Sequence, residues 1–125
     1  MELLAAEPGA DLRRARLDRV DLSALPLHRA DLRGAALRDA SLVGAELYFV
    51  DLRGAYLAGA DFSSANLRGA RIGPDTKIDD ARCNGKTVLP DGFICVENRI
   101  FAGEARTLHE VDVDFSDVRR GRPGS

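Results

Sequence analysis

His28, His109, Cys83, Cys95 and the carboxylates at Asp79-Asp80 and at Asp112, Asp114 and Asp117 are the side chains that could do chemistry here. A histidine beside a carboxylate can share general acid–base work, and His109-Glu110 is such a pair. A zinc-protease helix needs a second His four residues after the first, and Thr107-Leu108-His109-Glu110 has none in that place. Cys83 and Cys95 lack the CxxC spacing of a metal or redox pair. Asp112-Val113-Asp114 and Asp117 have the start of a calcium loop, but no Gly stands at its sixth place and Pro123 stands where the bidentate Glu belongs. No glycine-rich loop leads from a strand into a helix to hold a phosphate. The chain therefore reads as a non-enzyme with no catalytic residue, no metal site and no cofactor.

Recognition is the chemistry left. Tyr48, Phe49 and Tyr56 are aromatic side chains at positions that the repeat described below turns outward. Aromatic residues are enriched at protein interfaces, while single exposed ones are also ordinary surface. Asp11-Leu12-Arg13, Asp31-Leu32-Arg33 and Asp51-Leu52-Arg53 recur at intervals of 20 residues. Stacked, Asp11, Asp31 and Asp51 form one charged stripe and Arg13, Arg33 and Arg53 another beside it. That pair of stripes is either a charge-balanced, solvated wall or a docking strip for an acidic or basic partner.

The elements that must position these residues follow a period of five. Every fifth residue from Leu12 to Ile72 is large and apolar, and the residue two places earlier is Ala in 10 of the 13 units. Five matches neither a helix at 3.6 nor a strand at 2. Two residues apart is nevertheless the strand rule for sharing a face, so each unit is a short extended piece with two side chains inward and three outward. A corner must then follow every five residues, and Gly34, Gly44, Gly54, Gly59 and Gly69 all close their units. Leu25-Pro26 departs from the Ala rule, and the missing proline donor predicts a locally unpaired, bulged wall.

Ala-Asp-Leu-Arg-Gly at 30–34, Ala-Asp-Phe-Ser-Ser at 60–64 and Ala-Asn-Leu-Arg-Gly at 65–69 resemble the A(D/N)LXX unit of pentapeptide-repeat proteins. The resemblance runs through residues 10–74. It implies an all-β fold, a right-handed quadrilateral β-helix of about four coils with four units to a coil. A one-residue slip at Gly73-Pro74-Asp75 predicts a last coil to about residue 90, with Thr76/Ile78, Ala81/Cys83 and Lys86/Val88 inward. A complete scaffold with no catalytic group predicts a protein-interaction module, while the resemblance implies as the alternative the role of members that bind topoisomerases (DNA gyrase) as DNA-mimic-like resistance or immunity factors. A DNA mimic needs an acidic rod, and residues 10–74 hold 10 Arg against 8 acids.

Residues 1–9 contain Leu3 and Leu4 before Pro8-Gly9 and read as an N-terminal cap. Gly92–Val96 and Arg99–Ala102 read as a hairpin turned at Glu97-Asn98, and Val111–Phe115 alternates like a third strand. Residues 91–118 are accordingly a C-terminal cap or a homodimer element, and 119–125 a flexible tail. The 125 residues amount to one domain. Aromatics are 6% and Trp is absent, so Leu and Ala must fill the core. With 18 basic and 20 acidic residues the net charge is -2, which predicts no direct nucleic-acid partner and no anionic membrane. No run reaches the ~18 apolar residues of a membrane span. The start lacks a basic leader, from which a cytoplasmic location and two reduced thiols are expected.

Overall fold

A computed structural model describes residues 9–103. Parallel bridges join Asp11 to Asp31 to Asp51, Arg16 to Ala36 to Tyr56, Asp21 to Ser41 to Asp61, and Pro26 to Glu46 to Asn66. Each circuit therefore has four bridge positions, and the chain winds as a four-sided tube. The unit at 30–34 shows why five residues suffice. Ala30 and Leu32 are buried, and Asp31 between them faces outward. The Asp31 N–H donates back to Ala10 O at 2.9 Å, and the Leu32 and Gly34 N–H groups donate forward to Asp51 O and Arg53 O at 2.8 and 3.1 Å. The Ala35 N–H closes the corner onto Leu32 O at 3.0 Å. Neighbouring circuits thus complete the backbone pairing that a lone coil lacks.

The corner demands a left-handed backbone. Gly34 takes φ +70° without penalty, while Arg14, Asp39 and Phe49 adopt +60°, +56° and +59° at equivalent corners. The interior is the expected lattice: Leu17, Leu22, Leu27, Leu32 and their successors through Phe62 and Leu67 are buried, interleaved with Ala.

Pro26 does not bulge its wall. It bridges Glu46, and the Leu27 N–H still reaches Glu46 O at 2.9 Å. Bridge-position N–H groups point toward the preceding circuit, so a proline in the first described circuit interrupts no bond to the next one.

The lattice slips twice near its end. Bridges span 20 residues at Asp51–Arg71, 21 at Tyr56–Lys77 and Asp61–Arg82, and 22 at Asn66–Val88. The slip at Gly73 is as expected, with Thr76, Ala81 and Cys83 buried. The inward assignment of Lys86 and Val88 is corrected: Lys86 is exposed and Val88 is 46% exposed. A second inserted residue at Asn84–Lys86 turns Thr87 and Leu89 toward the interior instead. The two insertions share one device. The Gly73 N–H donates to Thr76 Oγ1 and the Asn84 N–H to Thr87 Oγ1, while the two hydroxyls donate to Leu52 O and Phe62 O, each at 2.9 Å. Each threonine hydroxyl thereby ties the widened corner to the circuit before it.

Strand β1 (Phe93–Val96) and strand β2 (Arg99–Ala102) pair antiparallel in the expected hairpin. Glu97 and Asn98 both have positive φ, the primed turn that suits a two-residue loop. The Ile100 N–H donates to Ala81 O and the Cys83 N–H to Asn98 O, both at 3.0 Å, so β2 continues the third wall. Ile100 is buried, and Phe93 and Cys95 pack against the core. Cys83 and Cys95 form a disulfide across Cα atoms 6.1 Å apart, which overturns the expectation of two reduced thiols. Spacing alone hid this pair, because the hairpin's return over the last circuit is what brings β1 to Cys83.

Candidate functional site

Asp11 and Arg13 stand two residues apart across a buried Leu, so both side chains leave the same wall. Arg13 Nε and Nη2 donate to the two Asp11 carboxylate oxygens, each at 2.9 Å. Arg33 repeats this on Asp31 at 2.9 and 2.7 Å, and Arg53 on Asp51 at the same two distances. Each Asp also accepts the backbone N–H of its arginine. Neighbouring circuits are joined less closely, with Arg13 Nε 3.8 Å from Asp31 and Arg33 Nε 3.8 Å from Asp51. The two expected stripes are therefore one zigzag of bidentate pairs. The arginine hydrogen bonds pull Asp11 down to about 2 and hold Asp31 and Asp51 below the usual carboxylate range. The same bonds raise the three guanidinium values. Beyond Asp51 the column ends in Arg71, and Gly73 leaves room for the Arg53 stem.

The aromatics fall into two groups. Tyr48 meets Phe49 edge-on at 6.1 Å and stacks on His28 at 4.5 Å with planes 15° apart. Phe49 is 50% exposed, and the Arg29 guanidinium carbon lies 5.3 Å from its ring centre. Tyr56, 38% exposed, stands on another wall, with Arg38 4.5 Å over its ring. Arg38 is also 3.4 Å from Asp18, so Asp18, Arg38 and Tyr56 climb three successive circuits. Nine candidate residues thus resolve into an Asp–Arg zigzag, an aromatic corner and a separate tyrosine.

Arg29 and Arg38 are recognition-competent residues that sequence reasoning passed over, and His28 was considered there only for its own chemistry. The signal was available: His28 and Tyr48, Arg29 and Phe49, and Arg38 and Ala58 share columns under the 20-residue period. His28 Nδ1 is buried without a hydrogen-bond partner, 3.6 Å from a Glu46 carboxylate oxygen.

Shallow grooves occur on the surface of the described residues. One is lined by Asp11, Arg13, Arg14, Arg33 and Gly34. Another lies where the last circuit meets the hairpin, between Asp61, Ser63, Arg82, Glu97 and Arg99. Among the described residues no group of His, Cys, Asp and Glu is arranged to hold a metal ion. No described helix is long and apolar enough to cross a membrane. His109, Glu110, the acids at 112–117 and the strand expected at 111–115 lie outside the described residues.

These features define a class: a parallel β-solenoid with a filled interior and its chemistry on the walls. Residues 8–34, 26–57 and 45–72 match the family model for pentapeptide repeats, in 8 copies. The chain belongs to the pentapeptide-repeat family, whose fold is a right-handed β-helix.

Among solved structures, a pentapeptide-repeat protein of the cyanobacterium Cyanothece 51142 is 32% identical, with TM-score 0.45, over 66% of this chain and 62% of its own. One from Nostoc Pcc 7120 is 35% identical, with TM-score 0.42, over 69% of this chain and 74% of its own. One from the Arabidopsis thaliana thylakoid lumen is 31% identical, with TM-score 0.26, over 70% of this chain and 64% of its own. The match thus spans less than two thirds of the first and third of these relatives. No curated protein matches the sequence.

Proposed function

We propose that this chain is a non-enzymatic protein-interaction module that presents rigid β-helix walls to a protein partner. The observation that carries the reading is the state of the exposed aromatics. Phe49 and Tyr56 stand half-open to solvent, yet each is held by an arginine from the preceding circuit. Aromatic side chains already fixed in place lose little entropy on binding, and Tyr, Phe and Arg are enriched at interfaces. In this reading the repeats form about four coils over residues 10–90, and the hairpin closes their C-terminal end.

The alternative of a DNA-mimic topoisomerase binder has less support. The last circuit carries Arg71, Lys77 and Arg82 at three of its four bridge positions, opposite in sign to a DNA-like surface.

The test is a quantitative pull-down from host lysate with wild type and a Tyr48→Ser/Phe49→Ser/Tyr56→Ser variant of unchanged circular dichroism. A protein retained by wild type and lost by the variant is the expected outcome. Equal retention by both would refute the aromatic walls as the binding surface, and recovery of a topoisomerase subunit would favour the alternative.

A further inference from the structure

The corner at Phe49 combines three features. Phe49 adopts φ +59°, the left-handed setting that the corners of this tube demand, here with a bulky aromatic side chain where Gly69 stands one circuit on. Its ring lies across Gly69, where an added Cβ would come within 2.6 Å of ring atoms. The ring is thus laid over the next corner rather than tucked into the core.

One arginine side chain meets the ring, and the backbone pairing sets two more arginines on the adjoining circuits. Arg29 reaches the ring from the circuit before. From the circuit after, Arg68 O accepts the Phe49 N–H at 2.8 Å, and the Arg71 N–H donates to Val50 O at 2.8 Å. Arg68 and Arg71 therefore flank Gly69 on the two walls that meet at this edge. Among the described residues, no ion pair involves Arg29, Arg68 or Arg71. Of the nearby acids, Asp51 holds Arg53 at 2.7 Å, while Glu46 lies 3.6 Å from His28 and pairs with no arginine among the described residues. By contrast, Arg13, Arg33 and Arg53 are each neutralised by their own Asp. Among the described residues, Arg29, Arg68 and Arg71 thus leave unpaired positive charge on the edge that carries the exposed ring.

The geometry points to this corner as a docking site for an acidic protein segment, one that sets an apolar or aromatic side chain on Phe49 and carboxylates on Arg29, Arg68 and Arg71. Charge complementarity selects the acidic partner, and the exposed ring supplies the apolar anchor. A single-stranded nucleic acid fits less well, because it needs successive rings for successive bases, and here Tyr48 is stacked on His28, leaving one open ring. This inference rests on the protein-interaction reading and names the surface and the partner chemistry.

The probe is a random glutamate/tyrosine copolymer, with polyglutamate and a thymidine oligonucleotide beside it, titrated into the full chain and followed by calorimetry. The copolymer is expected to bind more tightly than polyglutamate and to weaken as salt rises. Phe49→Ala and the triple Arg29→Gln/Arg68→Gln/Arg71→Gln variant are each expected to lose about tenfold or more. Lys86→Gln, at an exposed cation of the last widened corner outside the candidate surfaces, is expected to leave binding unchanged. Circular dichroism melts confirm that each variant is folded. Absent copolymer binding, unchanged affinity in the Phe49 and triple variants, or tighter binding of the oligonucleotide would each overturn the inference. Running Tyr56→Ser alone in the lysate pull-down separates the two proposals, since a partner lost through Tyr56 but kept by Phe49→Ala leaves the module standing and removes this corner.

Discussion

Asp11, Asp31 and Asp51 each give both carboxylate oxygens to the arginine two residues on, and that local geometry sets their acidity. The arginine hydrogen bonds hold Asp11 at about 2, below the ordinary aspartate value of 3.8. A folded-state pKa below the unfolded one means that the native pairs contribute stability above the unfolded value and lose it as pH falls through the folded one. The zigzag should therefore open between about pH 4 and pH 2. Carboxyl carbon NMR should place the Asp11 midpoint near about 2, and Arg13→Gln should return it toward 3.8. A midpoint already at 3.8 in wild type would show the pair to be open in solution. At Gly69 and Gly44 the backbone is the same, φ +70°, but the surroundings differ. Alanine at either should cost about 1 kcal/mol through the left-handed strain. Only Gly69→Ala should also displace the Phe49 ring and abolish its nuclear Overhauser contacts to Arg29.

At the scale of the element, the hairpin and the two widened corners depend on side chains more than on the repeat. Thr76 Oγ1 donates to Leu52 O and accepts the Gly73 N–H, and Thr87 makes the matching pair. Thr76→Val keeps the shape but strands those partners, and should cost about 1–3 kcal/mol in urea unfolding. The Cys83–Cys95 bond closes a loop of sequence separation 12. In the chain-entropy account, a loop of that size is worth about 3 kcal/mol. Cys83→Ser/Cys95→Ser should therefore loosen the hairpin, read as faster amide exchange at Ile100, whose N–H bonds to Ala81 O. Equal protection in oxidised wild type and the double variant would show that the hydrogen bonds and buried Ile100 suffice. A free-thiol titration on protein taken directly from the host would show whether the bond persists there. A disulfide suits an oxidising compartment and a dithiol the cytoplasm.

For the whole molecule, stability is distributed along a stack in which each circuit covers its neighbours' apolar surface. Leu42 lies in an interior circuit and is fully buried. Leu42→Asp should abolish folding, because a buried unpaired carboxylate has no partner there. Leu42→Ala should cost about 2–5 kcal/mol. Leu12, which is only partly buried, should tolerate alanine better. Comparable losses at the two sites in thermal melts would contradict this gradient.

The period of five was legible because one large inward side chain, with a corner after every fifth residue, is a local rule repeated from Leu12 to Ile72, and its small partner is Ala except at Val20, Leu25 and Val50. The 20-residue stacking could be read from the Asp-Leu-Arg triplets for the same reason, and it put Asp and Arg on one wall as two stripes, while their bidentate pairing came from the structure. What the tertiary structure alone decided concerns partners that no local rule names. The second slip was hidden because Lys86 and Val88 lie at the distances the earlier register predicts, and only the bridge from Asn66 to Val88 exposes the extra residue. The disulfide was hidden because Cys95 reaches Cys83 only after the hairpin has folded back onto the last circuit. The Phe49 corner was hidden because its charge imbalance depends on which arginines already have a carboxylate, and that is settled by side-chain geometry across circuits rather than by spacing along the chain.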